Sequence, residues 1–504
     1  MNAATSVTVG HLNLGLLVGS AVLLVAIAAI RVAASTPLPT PLLYLGLGVL
    51  LGEDGIGIQF DDSELTRTLG YAALMIILAE GGLTTSWHTI RPALPAAAAL
   101  ATVGVGISTA VTGVAAHELL DLPWRTSLLL GAIVSSTDAA AVFAVLRRLP
   151  LLPRPTGILE AESGLNDAPV VLLVLALSGS RHFDAAGLGT TALEIAAELV
   201  GGALIGIGVG VVAGRAIRQV ALPASGLYPV AVLASATFAY SAAALAHTSG
   251  FLAVYVAGLV LGNSRLPHGP ATRGFAEGLA WLAQIGLFVL LGLLVTPSRL
   301  GDRVWPAVGV GAALLLLARP VSVACTASWF RIPWREQAFL SWAGLRGAVP
   351  IVVATIPVVD RVPGSEKLFD VVFVLAVLWT LVQGTSLPWL ARRLGVTDTA
   401  DLRMLDLEAA PLERLGADVL QVRILERSRM HGVAVFELRL PTGVAVSLVV
   451  RDGSALTPTE HTRLRHGDDL LVVCPGGTRA ATERRLRAVA EHGRLARWLS
   501  GRPS

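Results

Sequence analysis

Through most of this chain, apolar residues gather in stretches of about twenty, the length a helix needs to cross a bilayer, with short polar turns between them. Read with that ruler, spans are predicted at 12–30, 38–52, 65–83, 92–116, 126–147, 157–178, 188–215, 226–246, 250–263, 274–295, 303–328, 335–356 and 368–391. The first reads as a retained helix rather than a leader, because Met1 to Gly10 carries no Lys or Arg. After Arg393 the pattern changes. Residues 396–415, acidic at Asp398, Asp401, Asp406, Glu408 and Glu413, read as a polar linker or short helix. Alternating β-branched runs follow at 419–425, 433–440, 445–450 and 469–474, with turns at Pro441-Thr442-Gly443 and Asp452-Gly453. Thr478 to Leu499 reads as an amphipathic helix carrying Leu486, Val489, Leu495 and Trp498. The predicted architecture is an all-α polytopic membrane domain of about thirteen helices (1–395), a linker (396–415) and a small α+β domain (416–504). That last piece is too small to bury a large core alone, so it is expected to pair with a second copy or to pack on the membrane domain.

Composition agrees. The 504 residues are 54% hydrophobic and only 14% charged, against about 25% charged in soluble domains. The expected partner is the lipid bilayer; a net charge of +3 implies no nucleic acid. Cys325 and Cys474 lie far apart, so no structural disulfide is expected. One set of alternating loops carries most of the arginines, among them Arg91, Arg147, Arg148, Arg154, Arg215, Arg331, Arg392 and Arg393, and the other carries most of the acids. The positive-inside rule then puts the N-terminus outside and the C-terminus in the cytoplasm of a bacterial inner membrane. No nucleophile–base pair, metal cluster or phosphate loop points to an enzyme.

Ionisable side chains inside the apolar spans are costly, so each needs a reason. The densest group is Glu160-Ala161-Glu162-Ser163-Gly164-Leu165-Asn166-Asp167. Ser163 and Asp167 are four apart and share a helix face, as do Glu162 and Asn166. Lack of water disfavours a charged carboxylate at the depth of Asp167, so a proton or a cation is needed to neutralise it. That is the elementary requirement for exchanging H⁺ against Na⁺ or K⁺ at one site. A second polar island, Ser135-Ser136-Thr137-Asp138, offers oxygen ligands of the kind a broken helix supplies. In a third, Gly344-Leu345-Arg346-Gly347-Ala348-Val349-Pro350, glycines and a proline around an arginine predict another interruption. Glu162 is the best available mate for Arg346, as a structural clamp. The broken spans are the fifth and the twelfth, a pairing that points to an inverted repeat with a midplane site. Glu80 could stand behind the site or simply end its helix. Glu194, Glu198 and Glu277 read as interfacial acids, and His88, His117, His182 and His247 as loop histidines.

These motifs (residues 162–169, 136–138 and 344–350, within a likeness covering roughly 10–393) resemble the NhaP-type sodium or potassium/proton antiporters of the cation:proton antiporter-1 family. The resemblance implies an NhaA-like inverted-repeat fold and a homodimer of thirteen-helix subunits. It implies that Asp167 is the exchanging carboxylate, with Asp138, Thr137 and Ser163 around the ion. It also implies that Asn166 organises the crossing helices, that Glu162 pairs with Arg346, and that Glu80 lies near the site. Asn at 166, rather than a second Asp, resembles the electroneutral branch. Residues 415–475 resemble a TrkA C-terminal (RCK-C) module, which implies regulation by a small ligand, a nucleotide in some members, and tilts the cation towards K⁺. No cofactor is implied beyond the transported monovalent cation. The competing expectation is a cation channel gated by that module, but a carbonyl filter in the style of Thr-Val-Gly-Tyr-Gly is absent.

Overall fold

In hydrocarbon a chain must satisfy its own backbone hydrogen bonds, which makes apolar spans helical. The computed structural model describes residues 9–34, 39–138, 151–179, 185–264, 266–397, 405–412, 417–475 and 478–493. It divides into two units, 1–396 and 397–504. The first is helical: α1 Val9–Ala34, α2 Thr40–Leu51, α3 Ser63–Thr84, α4 Leu94–Leu120, α5 Trp124–Ser135, α6 Pro153–Leu165, α7 Asp167–Ser178 and α8 Ala185–Gln219. It continues with α9 Leu227–Leu245, α10 Gly250–Gly262, α11 Gly269–Leu293, α12 Gly301–Phe330, α13 Trp334–Ala343, α14 Ala348–Val359 and α15 Ser365–Leu394. Each predicted span falls on one of these helices or on a broken pair. Residues 139–147 of the fifth span, and the loop residues Arg147, Arg148 and His182, lie outside the described residues.

Local chemistry sets the helix ends. Asp62 caps α3 by accepting from the Leu65 amide at 2.8 Å, and Ser249 caps α10 through the Leu252 amide. Pro123 and Pro333 stand at the entrances of α5 and α13, where a missing N–H costs nothing. Among the described residues, six helices are long and apolar enough to cross a bilayer, and α13 with α14, bent by 54°, makes a seventh. Backbones come close where Gly82 of α3 meets Gly258 of α10, since a Cβ at either would strike the other helix. Single π turns at Leu100–Gly104 in α4 and Leu314–Ala318 in α12 interrupt two otherwise regular helices. Ser322, just past the second, donates to the Gly104 carbonyl in the first at 2.9 Å, which gives that loosened turn a partner.

The second unit is an antiparallel sheet in the order β1-β2-β5-β3-β4, from β1 Leu405–Leu412, β2 Ala417–Ile424, β3 Ala445–Arg451, β4 Ser454–Leu456 and β5 Asp469–Pro475. The helix α16, Arg479–His492, follows β5. Leu420, Val422, Leu470, Val472 and Cys474 alternate into one core with Leu486 and Val489 of α16. Asp452 and Gly453, both at positive φ, make the two-residue turn between β3 and β4. A buried Asp468 takes a two-pronged bond from Arg451, both contacts at 2.8 Å, and a third from the Arg465 amide.

Two expectations fail here. Residues 405–412, expected within a linker, form β1, paired along its length with β2, whose ladder supplies the backbone partners that a linker lacks. The run 433–440, expected as a strand, is a loop around one 3₁₀ turn at Val435–Leu438. The Glu437 carboxylate accepts from the Ala434 amide at 2.8 Å, and this local bond competes with a ladder. Leu495 and Trp498, expected on the final helix, lie outside the described residues, as do Asp398, Asp401 and Glu413 of the expected linker.

Candidate functional site

Three helix interruptions meet inside the first unit. The fifth span loses its helix after Ser135 and runs extended through Ser136. The twelfth breaks between α13 and α14, and the sixth between α6 and α7 at Asn166. The first two interruptions bond to each other directly, with the Asp138 amide donating to the Leu345 carbonyl at 2.9 Å. Unwound backbone thus finds partners without water, the condition for irregular chain at this depth.

The side chains converge at the same place. Asp138 accepts from the Ala348 amide at 2.7 Å, so its carboxylate lies against the N-terminus of α14, where a helix favours an anion. A Cβ at Gly347 would collide with that carboxylate, so this approach requires glycine. Ser136 donates its hydroxyl to Asp167 Oδ1 at 2.8 Å. Thr137 Oγ1 lies 3.2 Å from Ser163 Oγ and also accepts from Asn166 Nδ2. Arg346 donates to the Ser136 carbonyl at 2.8 Å, and its own carbonyl accepts from Thr380 at 2.5 Å. Gln383, one turn further along α15, donates to the carbonyls of Trp342 and Gly344 at 2.7 and 3.2 Å. Ser136, Thr137, Asp138, Glu162, Ser163, Asn166, Asp167 and Arg346 are each at most 2% exposed.

The two aspartates are held differently. Asp138 is bonded to a helix end, whereas among the described residues Asp167 Oδ2 and Asn166 Oδ1 are buried oxygens without a hydrogen-bond partner. Leaving such atoms unmet is costly. A buried carboxylate oxygen left unmet among hydroxyl and amide groups suits a hard monovalent cation or a proton.

The expected pairing of Glu162 with Arg346 is wrong. Glu162 is held by Arg319 of α12, with Nη1–Oε1 at 2.6 Å and Nη2–Oε2 at 2.8 Å. The π turn at 314–318 immediately precedes Arg319 and resets the helix phase from which that side chain leaves. Arg319 is not among the expected site residues, although an Arg-Pro pair inside the apolar stretch 303–328 is a legible signal. Nor are Thr380 and Gln383, whose i, i+3 spacing on an apolar helix puts both on one face. Ser136, in the expected polar island, joins the site through its bond to Asp167. Glu80 is buried on α3, a helix that packs against α10, α11 and the broken-span helix α14. Glu194 and Glu277 are exposed.

Residues 20–393 match the family described as "Sodium/hydrogen exchanger, transmembrane". The chain belongs to the sodium/hydrogen exchanger family. Residues 419–487 match the TrkA-C domain, so this exchanger carries its small β-rich unit as a recognisable module. It is 35% identical over 470 residues to the K(+)/H(+) antiporter NhaP of Alkalimonas amylolytica, covering 92% of this chain and 81% of that one. The K(+)/H(+) antiporter NhaP2 of a Shewanella species (strain MR-4) is 35% identical over 481 residues, with the same coverage. The Na(+)/H(+) antiporter NhaH of Halobacillus aidingensis is 27% identical over 395 residues, covering 74% and 96%. In fold, the exchanger resembles the sodium proton antiporter MjNhaP1 of Methanocaldococcus jannaschii, with a TM-score of 0.65, 22% identity, and coverage of 76% of this chain and 99% of that one. Membership in a family of transporters agrees with the reading that the chain is not an enzyme.

Proposed function

We propose that this exchanger moves K⁺ or Na⁺ against H⁺ across a bacterial inner membrane, with cation and proton competing for Asp167. The observation that carries the reading is that Asp167 Oδ2 and Asn166 Oδ1, on adjacent residues, are both buried without a partner among the described residues, where Ser136, Thr137, Ser163 and the helix-bound Asp138 converge. One carboxylate that carries either ion moves the same charge both ways, which makes the exchange electroneutral. K⁺ is the favoured cation, in keeping with the names of the relatives similar over 92% of the chain. Thirteen spans, an external N-terminus, a cytoplasmic C-terminus and a homodimer belong to the same proposal, as does a boundary between membrane domain and module just after residue 396, ahead of β1. The TrkA-C unit regulates transport through a small ligand, a nucleotide being the class to try first. Proteoliposomes holding an imposed pH gradient test the function: external K⁺ should dissipate it with no change in rate when the membrane potential is clamped. Rates set by the potential would contradict electroneutral exchange.

A further inference from the structure

One side chain joins the first turn of α5 to the last turn of α7. Arg125 donates from Nε to the Leu177 carbonyl at 2.8 Å, and from Nη2 to the Ser178 and Gly179 carbonyls at 2.7 and 2.5 Å. These are the acceptors that a helix end leaves unmet, and a cation there complements the helix dipole. At the other end of the same two helices, Ser136 holds Asp167 at 2.8 Å. α5 and α7 therefore run antiparallel, have twelve residues each, and are pinned at both ends. The two pins fit together in a single register. A slip of one residue would carry Asp167 about 1.5 Å along and about 100° around its helix, away from Ser136 and Thr137.

We propose that Arg125 is a positioning residue for ion exchange. By fixing α7 against α5 at their far ends, it keeps the Asp167 carboxylate level with Ser136, Thr137 and Asp138. Arg125 does not itself meet cation or proton, and the inference rests on the site reading given above. A plain helix cap would support stability and leave ion affinity untouched; a positioning residue changes affinity.

The test compares Arg125→Lys, Arg125→Gln and Arg125→Met of the full chain in proteoliposomes, with Asp167→Asn alongside. Apparent KM for the cation and the pH profile are the readouts, normalised to folded protein. Arg125→Met should raise KM by at least about tenfold, the scale of a lost charged hydrogen bond, and should displace the pH profile. Arg125→Lys should fall between it and the wild type. Should the Met variant fail to fold, Lys and Gln, which keep a donor, carry the same comparison. Wild-type KM and pH profile in these variants, or a loss confined to maximal rate, would overturn the inference. Transport persisting in Asp167→Asn would overturn the site reading itself. An inactive Asp167→Asn beside Arg125 variants of wild-type KM would overturn the role of Arg125 alone.

Discussion

Arg319 and Glu162 form a two-pronged ion pair, 2.6 and 2.8 Å, with both side chains shut away from solvent. A buried pair of this kind adds little over an apolar substitute, yet removing one partner strands the other at a cost of about 3–5 kcal/mol. Glu162→Gln is therefore expected to lower the apparent Tm of the purified exchanger by several degrees. Glu162→Gln combined with Arg319→Gln should recover part of the loss, because neither member of the pair is then left stranded by the other. Thermal unfolding in detergent measures both, and a double variant less stable than either single one would refute the pairing as the dominant contact.

Gly347 and Gly344 flank Arg346 but stand in unequal space. A Cβ at Gly347 would run into the Asp138 carboxylate, while one at Gly344 would meet Arg319 Nε and Thr137 Cγ2 at 3.1 Å. Gly347→Ala should abolish exchange because Asp138 loses its seat on the α14 amide, with the protein still present in the membrane. Gly344→Ala asks its neighbours to yield only slightly and should retain a measurable rate. Assay of both at matched protein amounts checks this order.

In the TrkA-C unit, burial pushes the Cys474 thiol up, with Asp418 adding to the effect. The reactive thiolate is therefore scarce at neutral pH and becomes commoner as pH rises. In a Cys325→Ser background, maleimide should label the native chain very slowly near pH 7 and faster at higher pH. Unfolding should bring the rate at pH 7 to that of a free thiol. Fast labelling of the native chain at neutral pH would contradict the packing of Cys474 in the sheet core.

What sequence could reveal depended on whether the signal was local. Apolar stretch length sets a helix by itself, so α3, α8 and α11 were readable. Polar residues within such a stretch must have a purpose, and Thr137, Asp138, Ser163 and Asp167 were legible on that ground. The partner of Glu162 was not, because it depends on how helices cross and on a π turn that shifts the phase of α12. Leu405–Leu412 was hidden because Asp406 and Glu408 give it a linker's composition, while its ladder depends on β2, a partner that only the fold supplies. At 433–440 the β-branched composition misled, since Glu437 ties the backbone into a turn that composition does not announce.

The central claim is that cation and proton compete for Asp167, and the apparent KM for the cation as a function of pH tests it most directly. Simple competition predicts that, on the acid side, KM rises about tenfold for each unit of pH lost, and that Asp167→Asn shows no exchange at any pH. A KM indifferent to pH, or exchange that persists in Asp167→Asn, would contradict the account.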